Sequence, residues 1–174
     1  LANTVIKGYG ERFQAHWLAG MREKIGLVSE EDGDLDLIQA LLAAMQAGQA
    51  DFTLVFRRLS KPAGADAAGV EFLSDFDGIG EAMGWLVRWR ERLSRDPQTA
   101  EARSAAMLSV NPAFIPRNHR IEQAINAAME DGDFSLFEAL VKVLANPYQD
   151  QSAFVAYMEP PKLEERVLQT FCGT

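Results

Sequence analysis

The sequence predicts an all-α protein, and three observations carry the prediction. Apolar residues recur at three- and four-residue spacing along most of the chain; glycine or proline closes the periodic stretches; no run of alternating apolar and polar residues builds a strand ladder. The chain has 174 residues, of which 48% are hydrophobic and 24% charged, so it can bury a proper core. It reads as a single helical domain over residues 1–174.

The first helix is expected over residues 9–25, where Phe13, Trp17, Met21 and Ile25 recur every four residues, Leu18 widens the stripe and Gly26 ends it. His16 falls off that stripe and reads as a surface or boundary histidine. The acids Asp32, Asp34 and Asp36 invite a calcium-loop reading, but that loop needs glycine and glutamate where Leu37 and Ala43 stand. A turn and helix cap is the reading kept. The helix that follows carries Leu37, Ile38, Leu41, Leu42 and Met45 and stops before Gly48. Asp51 caps a short helix from Phe52 to Leu59, with a strand as the alternative because of Thr53, Val55 and Phe56. Residues 61–69, rich in small side chains, read as a flexible loop.

Ser74 to Gly78 leads into a helix from about Ile79 to Leu93, with Ala82, Trp85, Leu86, Trp89 and Leu93 on its apolar face. Core packing is the plainer reading of both tryptophans and a base-stacking platform the sharper one; Arg88, Arg90, Arg92 and Arg95 beside them read as a solvated helix face, or with the tryptophans as a face for a protein partner. Asp96-Pro97 breaks this helix, and Thr99 starts the next, which carries Met107 and Leu108 near its end. Pro112 and Pro116 then impose an extended entry to a helical hairpin. Asn118 is the expected N-cap of a helix bearing Ile121, Ala124, Ile125 and Ala128. Asp131-Gly132 forms a turn, and Asp133 caps a helix bearing Phe134, Phe137, Leu140, Val141 and Leu144. Glu31 to Met45 echoes Glu130 to Leu144, which convergence on one turn-cap-helix recipe explains more simply than duplication. A short helix from Ser152 to Met158 precedes Pro160-Pro161.

The formal net charge of −8 argues against a nucleic-acid or anionic-membrane partner, which a basic surface would serve. No apolar run approaches the ~20 residues of a membrane span. A single cysteine and no visible signal peptide fit a cytoplasmic protein. The chain opens on Leu1 rather than Met and is expected to be processed or part of something longer. Phosphate-binding glycine loops are missing, and His119 with Glu122, three residues apart, falls short of a metal site. No catalytic, cofactor-binding or metal-binding residue is assigned. Cys172, third from the C-terminus, reads either as a small apolar side chain beside Phe171 or as a thiol able to reach another surface.

The ordered set of motifs carries a family resemblance. Asn111-Pro112, Ile115-Pro116-Arg117-Asn118-His119, Glu122-Gln123-Ala124-Ile125, Gly132-Asp133-Phe134 and Asn146-Pro147-Tyr148 resemble the C-terminal signature of the selenoprotein O (SelO/YdiU) family. So, upstream, do Trp17 to Leu27, Phe52 to Leu59 and Trp85 to Leu93, and the match runs in order over essentially the whole chain.

The resemblance implies a protein-kinase-like (pseudokinase) fold of which this chain is the irregular, multi-helix C-terminal region. It implies an enzyme that transfers AMP from ATP to Ser, Thr or Tyr hydroxyls of proteins with Mg²⁺ or Mn²⁺. The nucleotide- and metal-binding residues lie in an N-terminal kinase-like region absent from this chain. No such role transfers to residues 1–174, which are expected to bind no cofactor and to be inactive alone. The implied partners are that N-terminal region of the same polypeptide and the enzyme's protein substrates. The family often carries a redox-active cysteine or selenocysteine third from the end, where Cys172 stands; the first member of the family's pair would fall at Gln169, so a pair within this tail is excluded. A disulfide to a cysteine of the absent region stays open. The alternative reading is a free-standing helical protein-interaction module with no catalytic activity.

Overall fold

The computed structural model describes residues 2–61, 66–167 and 169. Among them the chain is all-helical. The α-helices are α1 (Ala2–Lys24), α2 (Asp34–Ala47), α3 (Phe52–Leu59), α4 (Asp66–Leu73), α5 (Gly80–Arg95), α6 (Ala100–Val110), α7 (Asn118–Glu130) and α8 (Ser135–Leu144). Two short 3-10 helices follow, Ser152–Tyr157 and Leu163–Glu165. The contacts divide the chain into two compact units, residues 1–111 and 112–174.

The first unit holds α1 to α6 around a core that includes Ile25, Ile38, Leu41, Val55, Phe56, Phe72 and Met107. Both tryptophans of α5 belong to it. Trp85 donates its indole N–H to the Leu37 carbonyl at 2.7 Å and Trp89 donates to the Ile25 carbonyl at 2.9 Å, so each buried ring has its polar edge satisfied. Helix α1 ends in a Schellman turn. The Leu27 N–H reaches the Arg22 carbonyl, the Gly26 N–H reaches the Glu23 carbonyl, and Gly26 takes φ of 77°. Only glycine fits there, since a Cβ would lie 2.6 Å from the Met107 sulfur.

Side-chain caps appear where expected at α3, with the Leu54 N–H donating to Asp51 at 2.9 Å, and at α6, with the Ala102 N–H donating to Thr99 at 3.2 Å. Residues 52–59 are helical, and the strand alternative falls.

Several expectations need correction. Helix α1 starts well before residue 9, and its stripe is buried only toward its C-terminal end: Phe13 is 57% exposed and stacks on exposed Tyr9. Residues 66–69, read as loop, belong to α4, whose Phe72 supplies the apolar anchor that alanine and glycine spacing hid. Asn118 is the first residue of α7 rather than its cap; Arg117 is the N-cap and makes no side-chain cap bond. Helix α8 starts at Ser135, after Phe134, although Asp133 does accept from the Ser135 N–H and hydroxyl.

The acidic stretch does form a turn leading into α2, and within it Asp34 has a further role: it is fully buried, accepting from Arg92 Nε at 2.7 Å, Arg22 Nε at 2.8 Å and the Glu31 N–H at 2.9 Å. Burial alone would push its carboxyl up, but these donors and the Arg92 charge hold it below the ordinary carboxylate range. Asp96 secures the same loop by accepting from the Val28 and Ser29 N–H groups, and burial there is outweighed by these donors and Gln98, which bring its pKa to about 2. Asn111, also fully buried, ties the end of α1 to the end of α3 by donating to the Lys24 carbonyl and the Ser60 hydroxyl.

The second unit closes on itself. The Ala113 and Phe114 N–H groups both donate to the Pro147 carbonyl, at 2.8 and 3.1 Å, so the extended lead-in pairs with the end of the hairpin. Ala113, Phe114 and Val143 form its small core, with Phe154, Tyr157 and Met158 packed against them.

Removing the Asp34 charge takes from buried Arg92 its closest ion-pair partner and leaves it only the longer pair with Glu31, so Asp34→Asn is expected to lower the unfolding free energy by about 3–5 kcal/mol in urea denaturation. A loss under about 1 kcal/mol would show that the arginines do not depend on it. Asp75 behaves in the opposite sense. Burial, ahead of the opposing charge of its partner Arg58, pushes its carboxyl up to about 6. The folded state therefore holds this proton longer than the unfolded chain, and its contribution declines as pH rises from about 4 to 6. Asp75→Asn should abolish that decline and raise the melting temperature at pH 7.5 by about 2–6 °C; no change would contradict the burial argument.

Candidate functional site

The surface suggested by Trp85, Trp89 and the neighbouring arginines does not exist as such. Both tryptophans are 3% exposed and stack at 5.7 Å inside the first unit. Arg92 is spent on Asp34, and Arg95 pairs with Glu31 at 3.0 Å. The plainer core reading of the two rings holds.

Two other features stand out, both in the second unit. The first is a polar cavity of about 520 Å³ where α7 faces the second 3-10 helix and the segment after it, lined by His119, Gln123, Asn126, the carboxylates Glu122, Glu164 and Glu165, and Arg166. His119 reaches this wall because it sits in the first turn of α7, directly after the extended lead-in. Its side chain is nearly buried, and its Nε2 finds no hydrogen-bond partner among the described residues. Burial first, then the charges of Arg120 and Arg117, lower its pKa against the upward pull of Glu165. Arg120 holds the wall by donating to Gln123 at 3.1 Å and to the Ala156 carbonyl at 2.7 Å.

The second feature is an apolar groove of about 440 Å³ along the α7–α8 hairpin, closed at one end by Pro116. Ile121, Ile125, Phe134, Phe137 and Val141 line it and remain 37–57% exposed. The sequence placed each of these residues on an apolar helix face. It did not reveal that the faces meet at an open groove. The signal was available in the stripe width, since five large apolar residues on α8 and its lead exceed what one partner helix can cover.

Against this geometry, the family model described as protein adenylyltransferase SelO matches residues 2–145. The chain belongs to the SelO family. It is 70% identical over 173 residues to the protein nucleotidyltransferase YdiU of Rhizobium johnstonii and 71% identical over 173 residues to that of Rhizobium etli. It is 53% identical over 174 residues to the one of Agrobacterium fabrum. These matches take in 99–100% of the chain but only 35% of each relative, so it spans about a third of the length of the SelO-family proteins that it matches.

The nucleotide and metal that a SelO adenylyltransferase implies do not fit the residues described here. No group of three or more His, Cys, Asp or Glu among the described residues could hold a metal ion. The polar cavity sets a single arginine, Arg166, and His119 against three carboxylates, so its lining lacks the cluster of cations that a triphosphate calls for. Cys172, the candidate redox residue, lies outside the described residues. Among the described residues no helix is long and apolar enough to cross a membrane.

The lowered pKa of His119 yields a direct expectation. In an NMR titration its imidazole should show a midpoint below the ordinary 6.5. Its contribution to stability is complete above pH 6.5 and is lost as pH falls through that lower midpoint, because protonation there costs more than in the unfolded chain. A midpoint above 6.5 would mean that Glu165 outweighs burial.

Proposed function

We propose that this chain is the helical C-terminal region of a SelO-type protein adenylyltransferase. In the full-length protein a Ser, Thr or Tyr hydroxyl of a protein substrate attacks the α-phosphorus of ATP. The new O–P bond forms as the bond to the β-phosphate oxygen breaks; pyrophosphate leaves, and the hydroxyl proton passes to a base. Mg²⁺ or Mn²⁺ would neutralise the leaving pyrophosphate. The observation that carries this reading is the family match over residues 2–145 in a chain about a third as long as its relatives.

The chemistry is assigned to a kinase-like, pseudokinase region N-terminal to this chain, with ATP and the metal bound there and a cytoplasmic setting for the whole. With three carboxylates against one arginine, the polar cavity described above offers little to a nucleotide, which supports that division. The helical region then serves as structural support for the catalytic part. Cys172 is the residue through which a hydroperoxide would act on the enzyme: two thiols, Cys172 and one in the absent region, would give up two electrons and two protons to the peroxide and form a disulfide. The competing reading, a free-standing interaction module, lacks the Trp85/Trp89 surface on which it was built, since both rings are buried.

With ATP labelled at the α-phosphate, the full-length protein should label protein hydroxyls in a Mg²⁺- or Mn²⁺-dependent manner, whereas residues 1–174 alone should transfer none. Label transferred by this chain alone would overturn the division of labour, and none by the full-length protein would overturn the activity. In the full-length protein, hydroperoxide should change the labelling rate, and Cys172→Ser should remove that response.

A further inference from the structure

We propose that the apolar groove of the α7–α8 hairpin is the seat of an apolar, basic-flanked helix from the part of the SelO polypeptide lying outside this chain. The groove presents Ile121, Ile125, Phe134, Phe137 and Val141 at 37–57% exposure, and almost nothing polar faces it. An open face of that size between two helices is completed by a third helix, laid ridges into grooves.

Three observations select this occupant. The chain spans about 35% of its relatives, so roughly two-thirds of the natural polypeptide is tethered to it at high effective concentration. The net charge of the hairpin that carries the groove argues against a second copy. Residues 118–144 carry five acids (Glu122, Glu130, Asp131, Asp133 and Glu138) against two bases, Arg120 and Lys142. Arg120 is already engaged with Gln123 and the Ala156 carbonyl. Two copies meeting across this face would set like charge against like, whereas a basic-flanked segment is complementary. Finally, the hairpin is anchored from behind by the paired lead-in and the Val143 core, so the face stands ready without rearrangement.

The proposal rests on the reading of this chain as part of a longer SelO protein, but not on that protein's activity. The test uses the full-length protein with the photoreactive p-benzoylphenylalanine in place of Phe137, a near-isosteric change. Irradiation, digestion and mass spectrometry should return a cross-link within one polypeptide to an apolar, Lys/Arg-flanked peptide outside residues 1–174. A cross-link between two copies, one confined to residues 1–174, or none would each overturn the proposal. As a second measurement, Phe137→Glu in the full-length protein should lower its melting temperature by more than about 5 °C, while Phe137→Leu should retain the wild-type value within about 2 °C. Equal behaviour of the two variants would mean that the groove is empty. AMP transfer measured on the wild-type preparation separates the two readings: a correct cross-link without transfer sinks the activity alone.

Discussion

Asp34 has no access to water, and that constraint organises the first unit. A carboxylate in that position is tolerable only if each oxygen meets a donor. Arg92 comes from α5, Arg22 from α1 and the Glu31 N–H from the loop just before α2, so satisfying one side chain brings three segments into register. The loop between α1 and α2 is then held from its other side by Asp96, and Trp89 reaches its start through the Ile25 carbonyl. Hydrophobic burial supplies the driving force here, but it is non-directional. The buried polar contacts select which helix meets which.

The second unit relies on a different device. Its proline-bounded lead-in and the end of its hairpin meet at a single carbonyl, that of Pro147, which accepts two N–H groups. Because proline already restricts the lead-in, little further chain entropy is lost in forming that closure. One face of the hairpin is consumed by this closure and the small core around Phe114. The other is left as the groove, so the exposed apolar side chains are a consequence of how the hairpin is braced.

Polar contacts within each unit tie its segments together, those of Asp34, Asp96 and Asn111 in the first and those of Arg120 in the second, whereas His119 Nε2 finds no hydrogen-bond partner among the described residues. The chain belongs to the SelO family and spans about a third of the length of the relatives that it matches.

Local pattern was enough for much of the architecture. The 3.6-residue periodicity of α2 and α5, the Asp51 and Thr99 caps and the Gly26 stop depend on neighbours in the chain, and these features were legible. Short-range chemistry also identified the α7–α8 hairpin and its apolar residues, and the ordered motifs indicated the family. Helix α4 was missed because its alanines and glycine resemble a loop until Phe72 finds the core. The burial of Asp34 was not legible, because an acid before an apolar run looks the same whether it faces water or two arginines. The partners of Asp34 are 12 and 58 residues away, the groove joins two helices across a turn, and His119 gains its cavity from residues more than 40 positions downstream. Such features depend on distances in space that no periodicity encodes, and only the tertiary structure decided them.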